Sequence, residues 1–168
     1  NMKVYDHDKN NSHSINHSFI RALLIDSHNR LWVGTDGGGL DIYNHETEHF
    51  IHVNYDSKYK NLEGSDKIFK IFEDKNGIIW IGTWGGGLFK IVVPNGYNNL
   101  SSDLIKKLKI LHFKHSPDDP NSLLSNKISD IIQDSSGNIW IAHRGGIAVI
   151  DPEKDQIIKF YKHNPDDP

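Results

Sequence analysis

The chain has 168 residues, 24% of them charged, and a formal net charge of -3. This length allows one ordinary globular core, and the balanced charge disfavours both a nucleic-acid groove and a polybasic membrane patch. The sequence has no cysteine, which excludes disulfides, thiol nucleophiles and cysteine-ligated metals. It also lacks an apolar run of the about 18–20 residues that a membrane span needs.

The first elements in the chain are a single strand and the first copy of a repeat. Residues 2–7 match the end of the last copy, residues 158–163, and are predicted to be the outer strand of a preceding sheet. The first copy spans 14–56, and its residues 25–35 read Ile-Asp-Ser-His-Asn-Arg-Leu-Trp-Val-Gly-Thr. Asn29 stands at the turn position that needs a positive φ, which asparagine tolerates better than most residues.

The second copy spans 62–116 and is the longest. Its residues 73–83 read Glu-Asp-Lys-Asn-Gly-Ile-Ile-Trp-Ile-Gly-Thr, and Trp80 lies 48 residues after Trp32. An insertion at 93–109 lies between its third and fourth predicted strands, where it can cover the blade edge or contact a partner. The capping and apolar residues that predict a short amphipathic helix there are Ser101, Ser102, Asp103, Leu104, Ile105 and Leu108.

The third copy spans 122–163. Its residues 133–143 read Gln-Asp-Ser-Ser-Gly-Asn-Ile-Trp-Ile-Ala-His, so that Ala142 and His143 replace the Gly-Thr pair of the other copies. Its apolar runs are short and rich in β-branched and aromatic residues, which is typical of strands. The predicted strands of this copy are 128–132, 139–141, 147–150 and 157–161.

Four short strands in a period of about 48 residues predict one antiparallel sheet per copy. The runs around the tryptophans barely alternate between apolar and polar residues, which suits strands covered on both faces. Such sheets must stack to bury those faces, and radial stacking gives a propeller. The predicted fold is therefore all-β: a β-propeller fragment of three four-stranded antiparallel blades, plus one strand of a preceding blade at 2–7.

Two stretches of this pattern resemble a known family. Residues 74–88 read Asp-Lys-Asn-Gly-Ile-Ile-Trp-Ile-Gly-Thr-Trp-Gly-Gly-Gly-Leu, which closely resembles the two-component regulator propeller repeat. Residues 117–126, Pro-Asp-Asp-Pro-Asn-Ser-Leu-Leu-Ser-Asn, resemble the family's linker into each new blade. The first copy matches from Trp32 to Leu40, whereas the third departs at His143 and is one glycine short.

The resemblance implies more than the residues show. Such repeats usually form the periplasmic sensor region of hybrid two-component histidine kinases, which signal through a phosphorelay and often respond to oligosaccharides. The kinase would then lie outside these residues, and this chain would bind without catalysing. The resemblance also implies a parent protein in the inner membrane, so that the chain would meet the membrane only through that parent.

One tryptophan and one turn aspartate recur in every copy. A ring at the same strand position of each blade is best explained as filling the wedge between blades, rather than as a ligand site. The residues predicted to have this structural role are Trp32, Trp80, Trp140, Asp26, Asp74 and Asp134.

The candidate ligand site lies where the copies differ. Asp36, Trp84 and Arg144 each follow the second strand of a blade, and sites on repeating scaffolds are expected at such variable turn positions. An exposed indole can stack on a pyranose, while polar side chains bond hydroxyls; alternatively, these are solvated turn residues. The other predicted members, at the strand end and at the entries into the inner strands, are His143, Asn16, Asp66 and Asn126.

Other chemistries are disfavoured. The glycine runs at 37–39 and 85–87 precede strands, whereas a phosphate loop precedes a helix. The eleven histidines show no recognised metal spacing, and neither a serine elbow nor a hydrolase carboxylate pair stands out. No catalytic residue, metal or cofactor is therefore predicted, and a glycan-cleaving enzyme is the weakest alternative.

Three blades cannot close a ring, so we expect the chain to be a piece of a larger propeller. Both terminal blades would then expose apolar faces, and self-association through them is expected, for example as two three-blade halves. The leading functional hypothesis is a sensor segment that binds a glycan-derived oligosaccharide. The alternative is a structural or dimerisation segment that binds a protein partner and no small molecule.

Overall fold

The computed structural model describes residues 2–53, 63–94 and 102–162. It shows three four-stranded antiparallel sheets, each with its strands in chain order from the inner to the outer edge, which confirms the predicted all-β propeller blades. Blade 1 consists of β1 (Ile20–Ile25), β2 (Leu31–Thr35), β3 (Leu40–Asn44) and β4 (His49–Val53). Blade 2 consists of β5 (Ile68–Glu73), β6 (Ile79–Thr83), β7 (Leu88–Val92) and β8 (Lys109–Phe113). Blade 3 consists of β9 (Ile128–Gln133), β10 (Ile139–His143), β11 (Gly146–Asp151) and β12 (Gln156–Tyr161).

All of these strands lie inside the blade ranges predicted from the repeat. The predicted limits at 56, 62 and 163 fall outside the described residues, as does part of the insertion, so the blade boundaries stay predictions there. The tight turns follow the predicted chemistry, because Asn29 has a φ of 60° where Gly77 of blade 2 has a φ of 75°.

Residues 2–7 require a correction. They were predicted to form an outer strand, but in the described part of the chain they form none and pair with no other strand. A strand needs a ladder partner, and this segment instead packs by its side chains: the Tyr5 ring contacts those of Tyr43 and Phe50 at 5.2 and 5.5 Å between centroids.

The insertion of blade 2 contains a helix, α1 (Ser102–Lys107). Leu104 is buried in the cluster that joins blades 1 and 2, and Ile105 and Leu108 pack against the same cluster. The helix therefore covers the core between the two blades. Among the described residues, none forms a helix long and apolar enough to cross a membrane.

Close contact between blades explains the glycine in the repeated Gly-Thr pair. A Cβ on Gly82 would lie 2.6 Å from Cγ2 of Ile128, at the start of the inner strand of blade 3, and Gly34 meets Ile68 of blade 2 in the same way. Each glycine thus lets the next blade dock directly on the backbone. Blade 3 has Ala142 at this position, on a face that no other described residues cover.

The loop before the inner strand also repeats, although its sequence barely does. The Ile15 carbonyl bonds Nδ1 of His7 at 2.9 Å, and the Leu123 carbonyl bonds Nδ1 of His115 at 2.6 Å. Ile15 and Leu123 are both buried. This shared geometry orients the chain as it enters blades 1 and 3.

Candidate ligand-binding surface

A strip of backbone contacts brings the three variable turn positions into one row. The amides of Asp36, Trp84 and Arg144 each donate to the start of their own blade's inner strand, at 2.9, 2.9 and 3.0 Å. Isolated bridges then join Asp36 to Lys67 of blade 2 and Trp84 to Lys127 of blade 3. We call this row the cross-blade strip; its residues are Phe19, Asp36, Lys67, Trp84, Lys127 and Arg144.

Side chains on and beside the strip form a continuous series of aromatic rings and cations. The Arg21 guanidinium carbon lies 4.8 Å from the ring centroids of both Phe19 and Phe69. The Phe69 ring stacks on Trp84 with 4.7 Å between centroids and 18° between planes, and Nζ of Lys127 lies 5.8 Å from the indole centroid. This aromatic–cation stack (Phe19, Arg21, Phe69, Trp84 and Lys127) spans all three blades.

A β-bulge in the inner strand of blade 1 and another in that of blade 2 each orient one member of the stack. The ladder between β1 and β2 shifts register between Ile20 and Ala22, and that between β5 and β6 shifts between Ile68 and Lys70. The residue inside each shift has no ladder partner and is turned out of the regular alternation. Those residues are Arg21 in blade 1 and Phe69 in blade 2.

Asp36 holds the Arg21 guanidinium in the stack. Its Oδ2 accepts hydrogen bonds from Nη2 and Nε of Arg21 at 2.8 and 3.1 Å. The pair neutralises both charges and holds the guanidinium between the Phe19 and Phe69 rings. Asp36 is thus a partner of Arg21 in this structure, with its Oδ2 already accepting two bonds.

Trp84 is the most accessible ring of the predicted site, with 36% of its surface exposed. Beside it, Lys127 and Arg144 are cations that form no ion pair with a carboxylate in the described ranges. Arg144 is exposed. The junction of blades 2 and 3 therefore presents an aromatic ring in contact with the Lys127 ammonium, and Arg144 is the next residue along the cross-blade strip.

His143 lies beneath this surface rather than on it. It is buried, and within the part of the chain that the structure describes neither ring nitrogen has a hydrogen-bond partner. At the equivalent positions the hydroxyls of Thr35 and Thr83 donate to turn carbonyls at 3.0 and 2.8 Å. Burial lowers the pKa of His143, because the charged imidazolium loses its hydration.

The three entry residues predicted for the site hold blades and turns together. The Asp66 carbonyl accepts the amides of Gly37 and Gly39 of blade 1 at 3.0 and 2.9 Å, and the Asn126 carbonyl accepts the amide of Gly87 at 3.0 Å. The Asn126 side chain accepts the His115 amide at 2.6 Å, and that of Asn16 donates to the Gly38 carbonyl at 2.8 Å. Both asparagine side chains are therefore engaged internally.

The repeated tryptophans and aspartates pair within each blade. The indole N–H of Trp32, Trp80 and Trp140 donates to the aspartate six residues earlier, Asp26, Asp74 or Asp134, at 2.8, 2.9 and 2.8 Å. Trp32 and Trp80 are fully buried between blades. Trp140 is half-buried, on the face of blade 3 against which no other described blade packs.

Sequence reasoning missed Arg21, Phe69 and Lys127. A signal for two of them was present: Arg21 and Phe69 stand eleven residues before their blades' tryptophans, and blade 3 has Ser129 there. This inner-strand position varies among the copies just as the turn position of Trp84 does. The bulge directs the side chain at this position toward the loops that carry Asp36 and Trp84, and strand alternation in the sequence does not reveal the bulge.

A polar groove of about 710 Å³ lies near the outer edges of blades 2 and 3. Its carboxylates are already engaged: Asp155 pairs with the buried Lys90 at 2.6 Å, and Asp119 accepts the Asn121 amide at 2.9 Å. No group of three or more metal-ligating side chains occurs among the described residues. The stack around Trp84 is therefore the better candidate for a ligand.

Comparison with known proteins agrees with this architecture. The pattern of the family described as two component regulator propeller matches residues 14–37, 63–85 and 122–145, one match per blade. These are two-component regulator propeller repeats. Each match runs from the entry loop to the turn that carries Asp36, Trp84 or Arg144.

Similar proteins include a histidine kinase and extracellular domains of two-component systems. A histidine kinase named P4 from Formosa agariphila is 34% identical over 163 residues, which cover 94% of this chain and 11% of the relative. An extracellular domain described as that of a hybrid two component system from B. thetaiotaomicron is 25% identical, with a TM-score of 0.62 over 93% of this chain and 20% of that domain. A second such domain from B. thetaiotaomicron is 20% identical with a TM-score of 0.65, over 89% of this chain and 19% of that domain, which shows the shared fold.

The chain spans about a tenth of the curated relative and about a fifth of each solved domain. It is a propeller segment related to the extracellular domains of hybrid two-component sensor histidine kinases.

Proposed function

We propose that the chain is part of the periplasmic ligand-sensing propeller of a hybrid two-component sensor histidine kinase and response regulator, and that it responds to glycan-derived oligosaccharides. The relatedness to a histidine kinase and to extracellular domains of hybrid systems supports the sensor role. In this proposal the propeller binds, and phosphoryl transfer belongs to a kinase domain of the parent protein.

The single observation that carries the ligand proposal is the exposed Trp84, which lies between Phe69 and Lys127 in the aromatic–cation stack. A sugar ring presents an apolar face that packs on an aromatic ring, and its hydroxyls bond charged and polar side chains. Phe69 supports the indole from below at 4.7 Å and keeps it in a fixed orientation. A ring fixed before binding loses little conformational entropy when a ligand arrives.

Isothermal titration of the chain with a panel of oligosaccharides tests this function. At least one member should bind, and Trp84→Ala should lower its affinity about tenfold, which corresponds to about 1.4 kcal/mol. Tyr5→Ala is the matched control, since Tyr5 is a similarly exposed ring at the outer edge of blade 1. Equal affinities of wild type and Trp84→Ala would reject the site, and a panel without any binder would reject the function.

A second candidate function is self-association through the free face of blade 3. Leu40 and Leu88 are 1% and 0% exposed between blades, but their equivalent Ile147 is 36% exposed, and Ile132 and Tyr161 of the same blade are exposed as well. Burial of this apolar area under a second sheet lowers the free energy and favours association.

Light scattering over a range of concentrations tests this association. The mass of the wild type should rise with concentration, and Ile147→Lys should lower the association. Leu111→Lys is the control, because Leu111 is 40% exposed but lies on the outer strand of blade 2. A wild type that stays monomeric at high concentration would rule this candidate out.

A further inference from the structure

We propose that the surface around Trp84 selects acidic oligosaccharides, in which a uronate carboxylate pairs with Lys127 and Arg144 while a sugar ring stacks on the indole. This inference deepens the proposed function and rests on it. It concerns the junction of blades 2 and 3, where the cross-blade strip runs from Trp84 through Lys127 to Arg144.

The charges of the strip change from one junction to the next. At the junction of blades 1 and 2, Asp36 neutralises Arg21, and Asp66 stands at the entry into blade 2. At the junction of blades 2 and 3, the equivalent positions hold Trp84 and Asn126, which carry no charge. The carboxylates of the first junction are therefore replaced by neutral groups at the second. Of the first junction's cations, Lys67 has its equivalent in Lys127, whereas Arg21 is replaced by Phe69.

The position of the Lys127 ammonium makes the affinity depend on the charge of the ligand. Its ammonium lies 5.8 Å from the centroid of the indole on which the sugar would stack. An exposed cation–π contact is weak, so a ligand that offers a carboxylate can draw the ammonium aside and keep it paired. A neutral sugar displaces the same ammonium without compensation and is disfavoured.

Arg144 adds a planar donor group to the same place. Its amide bonds the Lys127 carbonyl at 3.0 Å, so the two residues are held side by side at the start of blade 3. A guanidinium recognises carboxylates with two parallel hydrogen bonds, which an ammonium cannot do. A cation on the exposed ring and a second cation beside the first match a sugar that carries an acid group.

One carboxylate belongs to the same turn region. The backbone of Glu63 lies beside Gly85, the residue after Trp84. Its negative charge opposes an acidic ligand, so Glu63→Gln is expected to raise the affinity for uronates. This variant tests the inference in the opposite direction from the removal of a cation.

The probes are uronate tetrasaccharides and the carboxyl methyl esters of the same compounds, titrated calorimetrically at low and at raised salt. The acids should bind more tightly than the esters, and only the acid affinity should weaken with salt, because salt screens exposed charges. Since acid and ester share the same rings and linkages, their difference reports the carboxylate alone.

Three variants separate charge from stacking. Lys127→Gln should lower the acid affinity about three- to tenfold and leave the ester affinity unchanged or higher, because the ammonium no longer competes for the ring. Trp84→Ala should lower both affinities. Lys159→Gln, which removes a matched ammonium lying 4.5 Å from the Tyr161 ring centroid on blade 3, should change neither.

The outcomes distinguish this inference from the function on which it rests. Esters that bind as tightly as acids, or a Lys127→Gln variant that loses both affinities equally, would overturn the selection of acids and leave an oligosaccharide sensor. Failure of every acid and ester to bind, together with every neutral oligosaccharide, would overturn both.

Discussion

The indole N–H of Trp80 donates a 2.9 Å hydrogen bond to Oδ2 of Asp74, six residues earlier in the chain. Trp80 is fully buried and Asp74 nearly so. The other oxygen of Asp74 accepts the amides of Asn76 and Ile78 at 2.9 and 3.1 Å, which closes the turn between β5 and β6. One carboxylate thus fixes both the turn and the ring that fills the space between blades 2 and 3.

Loss of the Asp74 carboxylate is expected to destabilise the fold strongly. In Asp74→Ala the buried indole N–H has no partner, and the free energy of unfolding should fall by about 2 to 3 kcal/mol. Urea unfolding followed by tryptophan fluorescence measures this. Asp134→Ala is the matched control and should cost less, because water can reach the half-buried Trp140; equal losses in both variants would contradict the explanation.

Addition of one methyl group between blades 2 and 3 should also destabilise the protein. The Cβ of Gly82→Ala would lie 2.6 Å from Cγ2 and 3.1 Å from Cβ of Ile128, and this Cβ cannot move without shifting β9. The expected loss is about 1 to 3 kcal/mol. The reverse change in blade 3, Ala142→Gly, should cost less than about 1 kcal/mol. A Gly82→Ala variant as stable as the wild type would show that the blades can separate.

Replacement of His143 by threonine should stabilise the chain and reduce its sensitivity to acid. The two unpartnered ring nitrogens disappear, and a hydroxyl can bond a turn carbonyl as in Thr83, with a gain of about 1 to 2 kcal/mol. Burial lowers the pKa of His143 below its ordinary 6.5. The unfolded chain therefore takes up a proton more readily, and this residue makes stability fall as the pH drops through 6.5 and below.

Urea unfolding of His143→Thr at about pH 5 and about pH 8 measures this effect, since the two values bracket the ordinary pKa of histidine. The gain over the wild type should be larger at the lower pH. His28→Thr, which changes an exposed histidine, is the control for the substitution itself. A gain that does not depend on pH would show that His143 does not titrate as described.

His52 is expected to have the opposite pH dependence. Its Nδ1 lies 2.7 Å from Oδ1 of the buried Asp41, and this hydrogen bond raises the pKa of His52 above 6.5. The folded state therefore holds the proton more tightly than the unfolded chain. The resulting stability is fully present below 6.5 and is lost as the pH rises through the higher folded pKa.

Removal of the His52 side chain should therefore cost more in acid than in base. His52→Gln should lose more stability at about pH 5 than at about pH 9, on either side of the raised pKa. His49→Gln is the control on the same strand, where the exposed His49 stacks on His13 at 4.4 Å between centroids. Equal losses at both pH values would show that the Asp41 pair does not hold a proton.

The repeat made much of the fold predictable because its information is local. Strands of five or six residues, turns at Asn29 and Gly77, and an aspartate six residues before each tryptophan all lie within one copy. The helix in the insertion was equally visible from its apolar spacing. Residues 2–7 were mispredicted because their match to an outer strand says nothing about whether a partner strand lies beside them.

The candidate surface was only partly predictable. Chain topology indicated that Asp36, Trp84 and Arg144 share one end of the blades, and the cross-blade strip places them in one row. It did not indicate that Arg21 forms an ion pair with Asp36. Nor did it indicate that the side chains of Asn16 and Asn126 form hydrogen bonds within the protein, because hydrogen-bond partners depend on how loops from different blades meet.

Sequence by itself determined the four-stranded sheet of each blade, its turns and the structural role of the repeated tryptophan and aspartate, since these depend on periodicity and on spacings of a few residues. Tertiary structure decided which faces are covered and which residues form the stack. Phe19 and Lys127 stand more than a hundred residues apart, and only the docking of Ile68 on Gly34 and of Ile128 on Gly82 brings their blades together. Bulges at Arg21 and Phe69 then turn these side chains toward Trp84, because a residue without a ladder partner leaves the strand's alternation.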